Sequence, residues 1–280
     1  MALSNVRLGF LGGGTMAEAM IKGLLDKGLV EPAQVVASGP RAERRAELEK
    51  RFGIRTAAAN PEAAKGADVV VLSVKPQVLP AVMRELQGTL RRDQLVLSIV
   101  AGVSLRALQQ GLAHPVVVRA MPNTPAQVAM GVTAWAATAD VHEPHRERAR
   151  AILGALGEEI AVDDEELVDM ATALSGTGPT YVFLLMEALV DAGVHLGFSR
   201  RVAEELVLRT VEGSALFARK SGRHLAELRN MVTSPGGTSA SAIYQLEKGG
   251  LRTILSKAVY AAYRRTRELG EAADRDLDRS

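Results

Sequence analysis

The sequence predicts an α/β fold: a doubly wound, mostly parallel sheet over residues 1–162, followed by an all-α domain over residues 163–280. Three observations carry this. Short β-branched runs alternate with helix-compatible segments through the first half, a glycine-rich turn joins the first run to the first helix, and no strand pattern follows Asp163. Strands buried on both faces read as continuous Val, Ile and Leu runs, and helices between them imply right-handed crossovers and hence parallel pairing. The predicted strands are Val6–Leu11, Gln34–Ser38, Val69–Val74, Leu95–Val100 and Val116–Ala120, with Gly131–Thr138 extending the sheet. Helices are expected at Thr15–Lys27, Arg41–Phe52, Pro80–Thr89, Ser104–Leu112 and Glu143–Gly154. Beyond Asp163, long helical stretches are broken at Gly176–Pro179, Gly197, Gly222, Pro235–Gly237 and Gly249–Gly250. Tyr181–Val190 is apolar nearly all round, which predicts a helix buried on every side, in part against another subunit, and so at least a dimer. The charged tail Glu271–Ser280 reads as low in order.

Composition removes several classes of function. A chain of 280 residues can bury one large core or two modest ones, and its 47% apolar and 24% charged residues are ordinary for a soluble globular protein. Cysteine is absent, which excludes disulfides, thiolate metal sites and cysteine nucleophiles. With 34 basic against 32 acidic residues there is no basic surface for phosphate backbones, and 4% aromatics gives no platform for stacking bases. Nucleic acid is therefore not an expected partner. No run as apolar as Val69–Val74 approaches the roughly 20 residues of a membrane span, and the first residues carry no secretory pattern. The expectation is a cytoplasmic chain with no membrane partner. The five histidines include one close pair, His142 and His145, without matching carboxylates, so no metal site is predicted.

The glycine-rich turn carries the first chemistry. Gly12, Gly14 and Ala17 have the G-x-G-x-x-[GA] spacing after a strand and before a helix. In that context Gly12 permits the tight turn, Gly14 lets backbone approach a pyrophosphate, and Ala17 keeps helix and sheet close. Thr15 and Met16 complete the helix N-terminus, whose free N–H groups face the anion. Selection between nicotinamide cofactors falls at the end of the second strand, where an acid would bind a ribose hydroxyl and an arginine a 2′-phosphate. That end reads Ser38-Gly-Pro-Arg41, without Asp or Glu, so NADPH is predicted, with NADH as the alternative. Arg44 and Arg45 are nearby, Arg45 and to a lesser extent Arg44 reading as a solvated helix face.

Ligands of open parallel sheets bind outside the carboxyl ends of the strands. Ser73, Val74, Lys75 and Pro76 end one strand, Ala101 and Gly102 another, and Asn123 and Thr124, held between prolines, a third. Together with Asn60 these are assigned to the cofactor. On the helical side, Ser175-Gly176-Thr-Gly178-Pro179 and Thr233-Ser234-Pro-Gly-Gly237-Thr238-Ser239 both read as helix entrances whose successive N–H groups can form a nest for a carboxylate. Ser175, Gly176, Ser234, Gly237, Thr238 and Ser239 are the substrate-binding candidates, and the Ser239 hydroxyl is the candidate catalytic group.

Five segments make the chain resemble the pyrroline-5-carboxylate reductases nearly end to end: Phe10-Leu-Gly-Gly-Gly-Thr-Met-Ala-Glu-Ala, Val74-Lys-Pro-Gln, Arg119-Ala-Met-Pro-Asn-Thr-Pro-Ala, Leu174-Ser-Gly-Thr-Gly-Pro-Thr-Tyr-Val-Phe and Val232-Thr-Ser-Pro-Gly-Gly-Thr. The resemblance implies a Rossmann domain followed by a helical dimerisation domain, homodimers that can assemble into pentamers of dimers, and NAD(P)H reduction of 1-pyrroline-5-carboxylate to L-proline. It also implies a carboxylate held by the loop at Ser234–Ser239. Two departures stand out: Ser239 where many members carry threonine, and His224-Leu225 where many read His-Pro.

Neither substrate loop contains Asp, Glu, His or Lys. A cyclic imine protonated at nitrogen is already electrophilic, so positioning by Ser239 and a backbone nest suffices, without a strong general acid. Two alternatives are open to discrimination. The β-hydroxyacid dehydrogenases need a lysine just inside the helix after a glycine turn, where this chain has Val182. A non-catalytic NADP-binding protein would have little reason to retain Ser234–Ser239.

Overall fold

The computed structural model describes residues 3–278, with side-chain surroundings given for residues 3–271. By contacts the chain divides into two units: Met1–Thr177 with Ala262–Ser280, and Gly178–Ala261.

The first unit is built on one eight-stranded sheet, in the order β3-β2-β1-β4-β5-β6-β7-β8. The strands are β1 (Leu8–Leu11), β2 (Val35–Ser38), β3 (Arg55–Ala57), β4 (Val69–Leu72), β5 (Leu95–Ser98), β6 (Val117–Met121), β7 (Gly131–Ala137) and β8 (Gly157–Ala161). The first six are parallel, which is the doubly wound order expected from the alternating pattern. β7 runs antiparallel to β6, with Met121 opposite Ala134. The link between them, residues 122–130, is too short for a crossover, which takes a dozen or more residues, so the chain turns back on itself. A full helix separates β7 from β8, and that pair is parallel.

Helices α1 (Thr15–Asp26), α2 (Ala42–Phe52), α3 (Asn60–Lys65), α4 (Leu79–Leu86), α5 (Leu105–Leu112) and α6 (Glu143–Gly154) connect the strands. One apolar core lies between the sheet and α1 with α6, centred on Phe10, Met20, Ile21, Trp135 and Ile152. The other lies beneath α3, α4 and α5, around Val70, Leu72, Met83, Val96 and Leu108. Every residue of β1, β4 and β5 is buried, as continuous apolar strands covered on both faces must be. α7 (Glu166–Ala171) follows β8 and runs into a π-helical turn, Thr172–Gly176.

The second unit holds α8 (Gly178–His195), α9 (Arg200–Ser221), α10 (Leu225–Met231), α11 (Thr238–Lys248) and the first part of α12 (Leu251–Asp278). A Cβ on Gly193 would stand 3.1 Å from that of Ala203, so glycine brings α8 and α9 into close contact. Burial of α8 on every side is not met within one chain: Phe183 is 60% and Leu184 65% exposed, and of this helix only Val190 is buried. Residues 166–195 are, by length and mean hydropathy alone, sufficient to cross a bilayer, contrary to the expectation that no stretch would be. The tail expected to be low in order continues α12 to Asp278, and its last two residues lie outside the described residues.

Candidate active site

Parallel order places the carboxyl ends of β1, β2, β4, β5 and β6 on one rim, with the strand order reversing between β1 and β4. The glycine turn sits at that reversal. Gly12 has φ +103°, and a Cβ there would lie 2.8 Å from the Ser73 carbonyl oxygen. Its N–H donates to the Ser38 carbonyl at 3.1 Å, while the Ser73 hydroxyl donates to the carbonyls of Leu11 and Gly12 at 3.0 and 2.8 Å. The ends of β1, β2 and β4 are thus bonded to one another around Gly12, and Ser73 supports the turn from below. Gly14, with φ −76°, is the N-cap of α1 and supplies no side-chain cap, so the N-terminal N–H groups of Thr15, Met16 and Ala17 have no side chain from that position to satisfy them. A Cβ at Gly14 would meet nothing within 4 Å, and Ala17 is fully buried against the sheet. The turn is therefore an open cradle at a helix terminus, the geometry that accepts a pyrophosphate.

At the end of β2, Ser38 is buried and its hydroxyl donates to Asn60 Oδ1 at 2.7 Å, bringing two of the predicted residues together. Asn60 in turn donates to Glu85 at 2.8 Å. Arg41 is exposed at the N-cap of α2. The solvated-face reading of Arg44 and Arg45 is corrected. Arg44 Nε donates to the Gly13 carbonyl at 2.8 Å, and its guanidinium pairs with Glu18 and Glu47. Those carboxylates, Glu18 first, push its pKa up. Arg45 donates to the Gly39 carbonyl at 2.7 Å. Arg44 thus braces the glycine turn and Arg45 the segment after β2, while Arg41 is exposed.

Lys75 and Pro76 are exposed at the start of a 3₁₀ turn, Pro76–Val78, with Val74 half-buried beneath Gly12. After β5, Ala101 is half-buried and Gly102, φ +74°, is buried. After β6, Thr124 is exposed but Asn123 is buried: its Oδ1 accepts the Val132 N–H at 2.9 Å, and its Nδ2 donates to the Ser175 carbonyl at 3.2 Å. Asn123 thus joins a cofactor-side strand end to a substrate-side candidate. Gly176 is packed on the same strand end, where a Cβ would lie 3.1 Å from Met121 Cε.

Ser175 and Gly176 do not open a helix as expected. They lie in the π turn after α7, where the Thr177 N–H donates to the Thr172 carbonyl at 2.8 Å and the Ser175 hydroxyl to Ala171 at 2.9 Å. Such turns insert a residue into a helix and concentrate at functional positions. Sequence reasoning also missed what holds this segment. Arg119, 4% exposed in its side chain, pairs with Glu165 at 2.7 Å and with Asp169, while Glu165 accepts the Leu105 N–H at 2.7 Å. One guanidinium inside the sheet clamps α7 and the start of α5 together. An arginine inside the otherwise apolar run Val116–Ala120 is the signal that could have pointed to it.

In the second unit Ser234-Pro235-Gly236-Gly237 forms a turn closed by the Gly237 N–H to the Ser234 carbonyl at 3.0 Å, with Gly236 at φ +70°. A Cβ on Gly237 would strike Ser234 Oγ at 2.5 Å, so the serine folds over the glycine. Gly237 is the N-cap of α11 without a side-chain cap, and Thr238 and half-buried Ser239 are its first two residues. This entrance is as expected, a helix terminus with free N–H groups and no charged side chain. His224, despite the leucine that follows it, caps α10, its Nδ1 accepting the Ala226 N–H at 3.2 Å. Among the described residues no group of three or more His, Asp or Glu could hold a metal ion.

A doubly wound sheet with an open glycine cradle at its reversal point, joined to a helical unit, defines an oxidoreductase of the nicotinamide-dependent class. Family models agree: residues 7–102 match the model described as NADP oxidoreductase, coenzyme F420-dependent, and residues 165–269 match pyrroline-5-carboxylate reductase dimerisation. The pyrroline-5-carboxylate reductase of Synechocystis is 43% identical over 95% of this chain and 99% of its own. A solved structure of the Coxiella burnetii reductase superposes with a TM-score of 0.87 at 36% identity, covering 95% of this chain and 99% of that one. The Plasmodium falciparum enzyme, solved with NADP bound, gives 0.86 at 31%, covering 95% and 98%. The chain belongs to the pyrroline-5-carboxylate reductase family.

Proposed function

We propose that this chain reduces 1-pyrroline-5-carboxylate to L-proline, with NADPH as the preferred donor and NADH as the alternative. The observation that carries the reading is the two helix termini whose N-cap is a glycine, Gly14 on the sheet rim and Gly237, the second following a Thr-Ser-Pro-Gly turn free of charged side chains. Gly12, Gly14, Thr15, Met16 and Ala17 would hold the pyrophosphate, Arg41 the 2′-phosphate, and the ends of β4, β5 and β6, including Lys75, Ala101 and Thr124, the nicotinamide half. When bound, NADPH supplies a hydride, the electron pair that becomes the new C–H bond. The N–H groups of Thr238 and Ser239 bind the substrate carboxylate, and the helix terminus favours that negative charge. Ser239 Oγ orients the ring nitrogen, which keeps the proton it carries as the iminium and becomes the amine of proline. No side chain transfers a proton, so the gain comes from orientation and from fixed dipoles.

The exposed faces of α8 and α9 fit a homodimer interface, with the pentamer of dimers following from the family resemblance. A small cytoplasmic metabolite as substrate is consistent with this, and the apolar stretch at 166–195 is then an intersubunit helix, not a membrane span. The test is oxidation of NADPH and NADH with the carboxylated imine, in parallel with light scattering. A kcat/KM higher for NADH would overturn the cofactor preference, and a monomeric mass would overturn the interface.

A further inference from the structure

Residues Tyr263–Gly270 of α12 run from α7 to the turn that ends β5. Tyr263 donates its hydroxyl to Glu166 of α7 at 2.5 Å, and that carboxylate pushes the Tyr263 pKa up. One turn on, Thr266 is buried, its hydroxyl donating to the Ala262 carbonyl at 3.0 Å. One turn further, Leu269 and Gly270 meet the turn that ends β5: a Cβ on Gly102 would lie 3.3 Å from Leu269 Cβ and 3.4 Å from the Gly270 nitrogen. The contact is reciprocal, since a Cβ on Gly270 would stand 2.9 Å from the Gly102 carbonyl oxygen. Backbone therefore packs on backbone, and both positions need glycine for the approach. Gly102 needs it twice, because its φ of +74° is one that side chains rarely adopt. Within the same turn the Val100 N–H donates to Ser98 Oγ at 3.3 Å, so the chain leaving β5 is held from the strand side as well.

Ala101 and Gly102 sit where the nicotinamide half of a dinucleotide passes in a sheet of this order. A glycine inside a helix costs stability unless something is gained by the missing side chain, and half-buried Gly270 makes its close contact where that gain would be made. We propose that Gly270 is a positioning residue for the cofactor: its closure on Gly102 sets the Ala101–Gly102 turn at the height at which it can line the nicotinamide site. The inference rests on the nicotinamide reading of this rim.

The test uses the full-length protein in three variants. Gly270→Ala adds a methyl against the Gly102 carbonyl. Tyr263→Phe removes the hydroxyl that seats the same segment and adds no atom. Gly154→Ala, at the end of α6 with nothing within 4 Å of its Cβ, is the control. The expected result is that Gly270→Ala weakens NADPH binding about fivefold or more, with KM for NADPH rising and KM for the imine unchanged, and without a gain in Tm. Tyr263→Phe is expected to weaken NADPH binding about twofold to threefold, and Gly154→Ala to leave it unchanged. Wild-type affinity for NADPH in both Gly270→Ala and Tyr263→Phe, above all with the raised Tm of an ordinary helical glycine replaced by alanine, would overturn the proposal. If Gly270→Ala fails to fold, Tyr263→Phe alone decides it. A wild-type protein that does not bind NADPH would instead overturn the cofactor reading and this inference with it.

Discussion

Gly12 and Gly14 are two residues apart in one turn, yet the structure assigns their missing side chains to different tasks. Gly12→Ala must place an L-residue at φ +103° and a methyl 2.8 Å from the Ser73 carbonyl oxygen. The unfavourable backbone costs about 1–2 kcal/mol, and overpacking against a backbone carbonyl about 1–3 kcal/mol more. For a chain of this size each kcal/mol is worth about 2–4 °C, so Tm should fall by roughly 5–15 °C. Gly14→Ala meets no protein atom and keeps an extended ψ of −176° at φ −76°. Its only structural cost is an alanine at the N-cap, about 0.5–1 kcal/mol, or roughly 1–4 °C. Its methyl, however, fills the space a pyrophosphate would occupy above the N–H groups of α1. Losing one charge-assisted hydrogen bond there, at about 1.5–3 kcal/mol, raises Kd for NADPH by roughly 10- to 150-fold. Thermal melts and NADPH titration of both variants separate the two roles. A Gly14→Ala protein that binds NADPH like the wild type would refute the cradle, and one as unstable as Gly12→Ala would refute the division of labour between the two glycines.

Three further outcomes are expected. Ser239→Ala is expected to lower kcat on the imine by tenfold or more while NADPH affinity is unchanged, as the proposed role of the hydroxyl in orienting the substrate alone requires; unchanged turnover removes it from the mechanism. Arg119→Met strands Glu165 and Asp169 without their cation; discounted for the partial exposure of those carboxylates, a loss of about 2–3 kcal/mol is expected, seen as a Tm lower by roughly 5–10 °C, and a Tm within a degree or so of wild type contradicts the clamp. Burial pushes the His114 pKa below 6.5, its Nε2 lying 2.8 Å from the Gln94 carbonyl. The unfolded chain therefore takes up the proton first, so the contribution of His114 is complete above pH 6.5 and is lost as pH falls through 6.5 toward the folded value. His114→Gln should flatten the acid side of the Tm profile, and parallel profiles would rule this out.

What the residues disclosed and what they concealed have physical causes. Strands buried on both faces must be largely apolar, so β1, β4, β5 and, its arginine apart, β6 stood out as runs. β3, only Arg55–Ala57, and β8, whose Gly157–Ala161 includes two glutamates, lie toward the sheet edges, where no such demand exists, and neither was read from the sequence. The glycine turn was legible because backbone geometry restricts the residue type there. Arg44 and Arg45 misled because an amphipathic helix rich in charge looks solvated, while their long side chains reach back to carbonyls of Gly13 and Gly39. The π turn at Thr172–Gly176 leaves no compositional mark: Ser175-Gly176-Thr177 resembles a helix start until the Thr172 carbonyl is seen to accept the Thr177 N–H. Likewise α8 looked like a core helix, and its apolar residues are real, but the surface that would cover them is not in one chain.

Loss of NADPH absorbance with 1-pyrroline-5-carboxylate, measured beside the same ring lacking its carboxylate, tests the central claim most directly. Rapid turnover of the carboxylated imine, with kcat/KM for the other substrate lower by at least about a hundredfold, is predicted from a carboxylate held by charge-assisted hydrogen bonds at the start of α11. Equal rates on the two rings, or tight NADPH binding with turnover of neither, would contradict it.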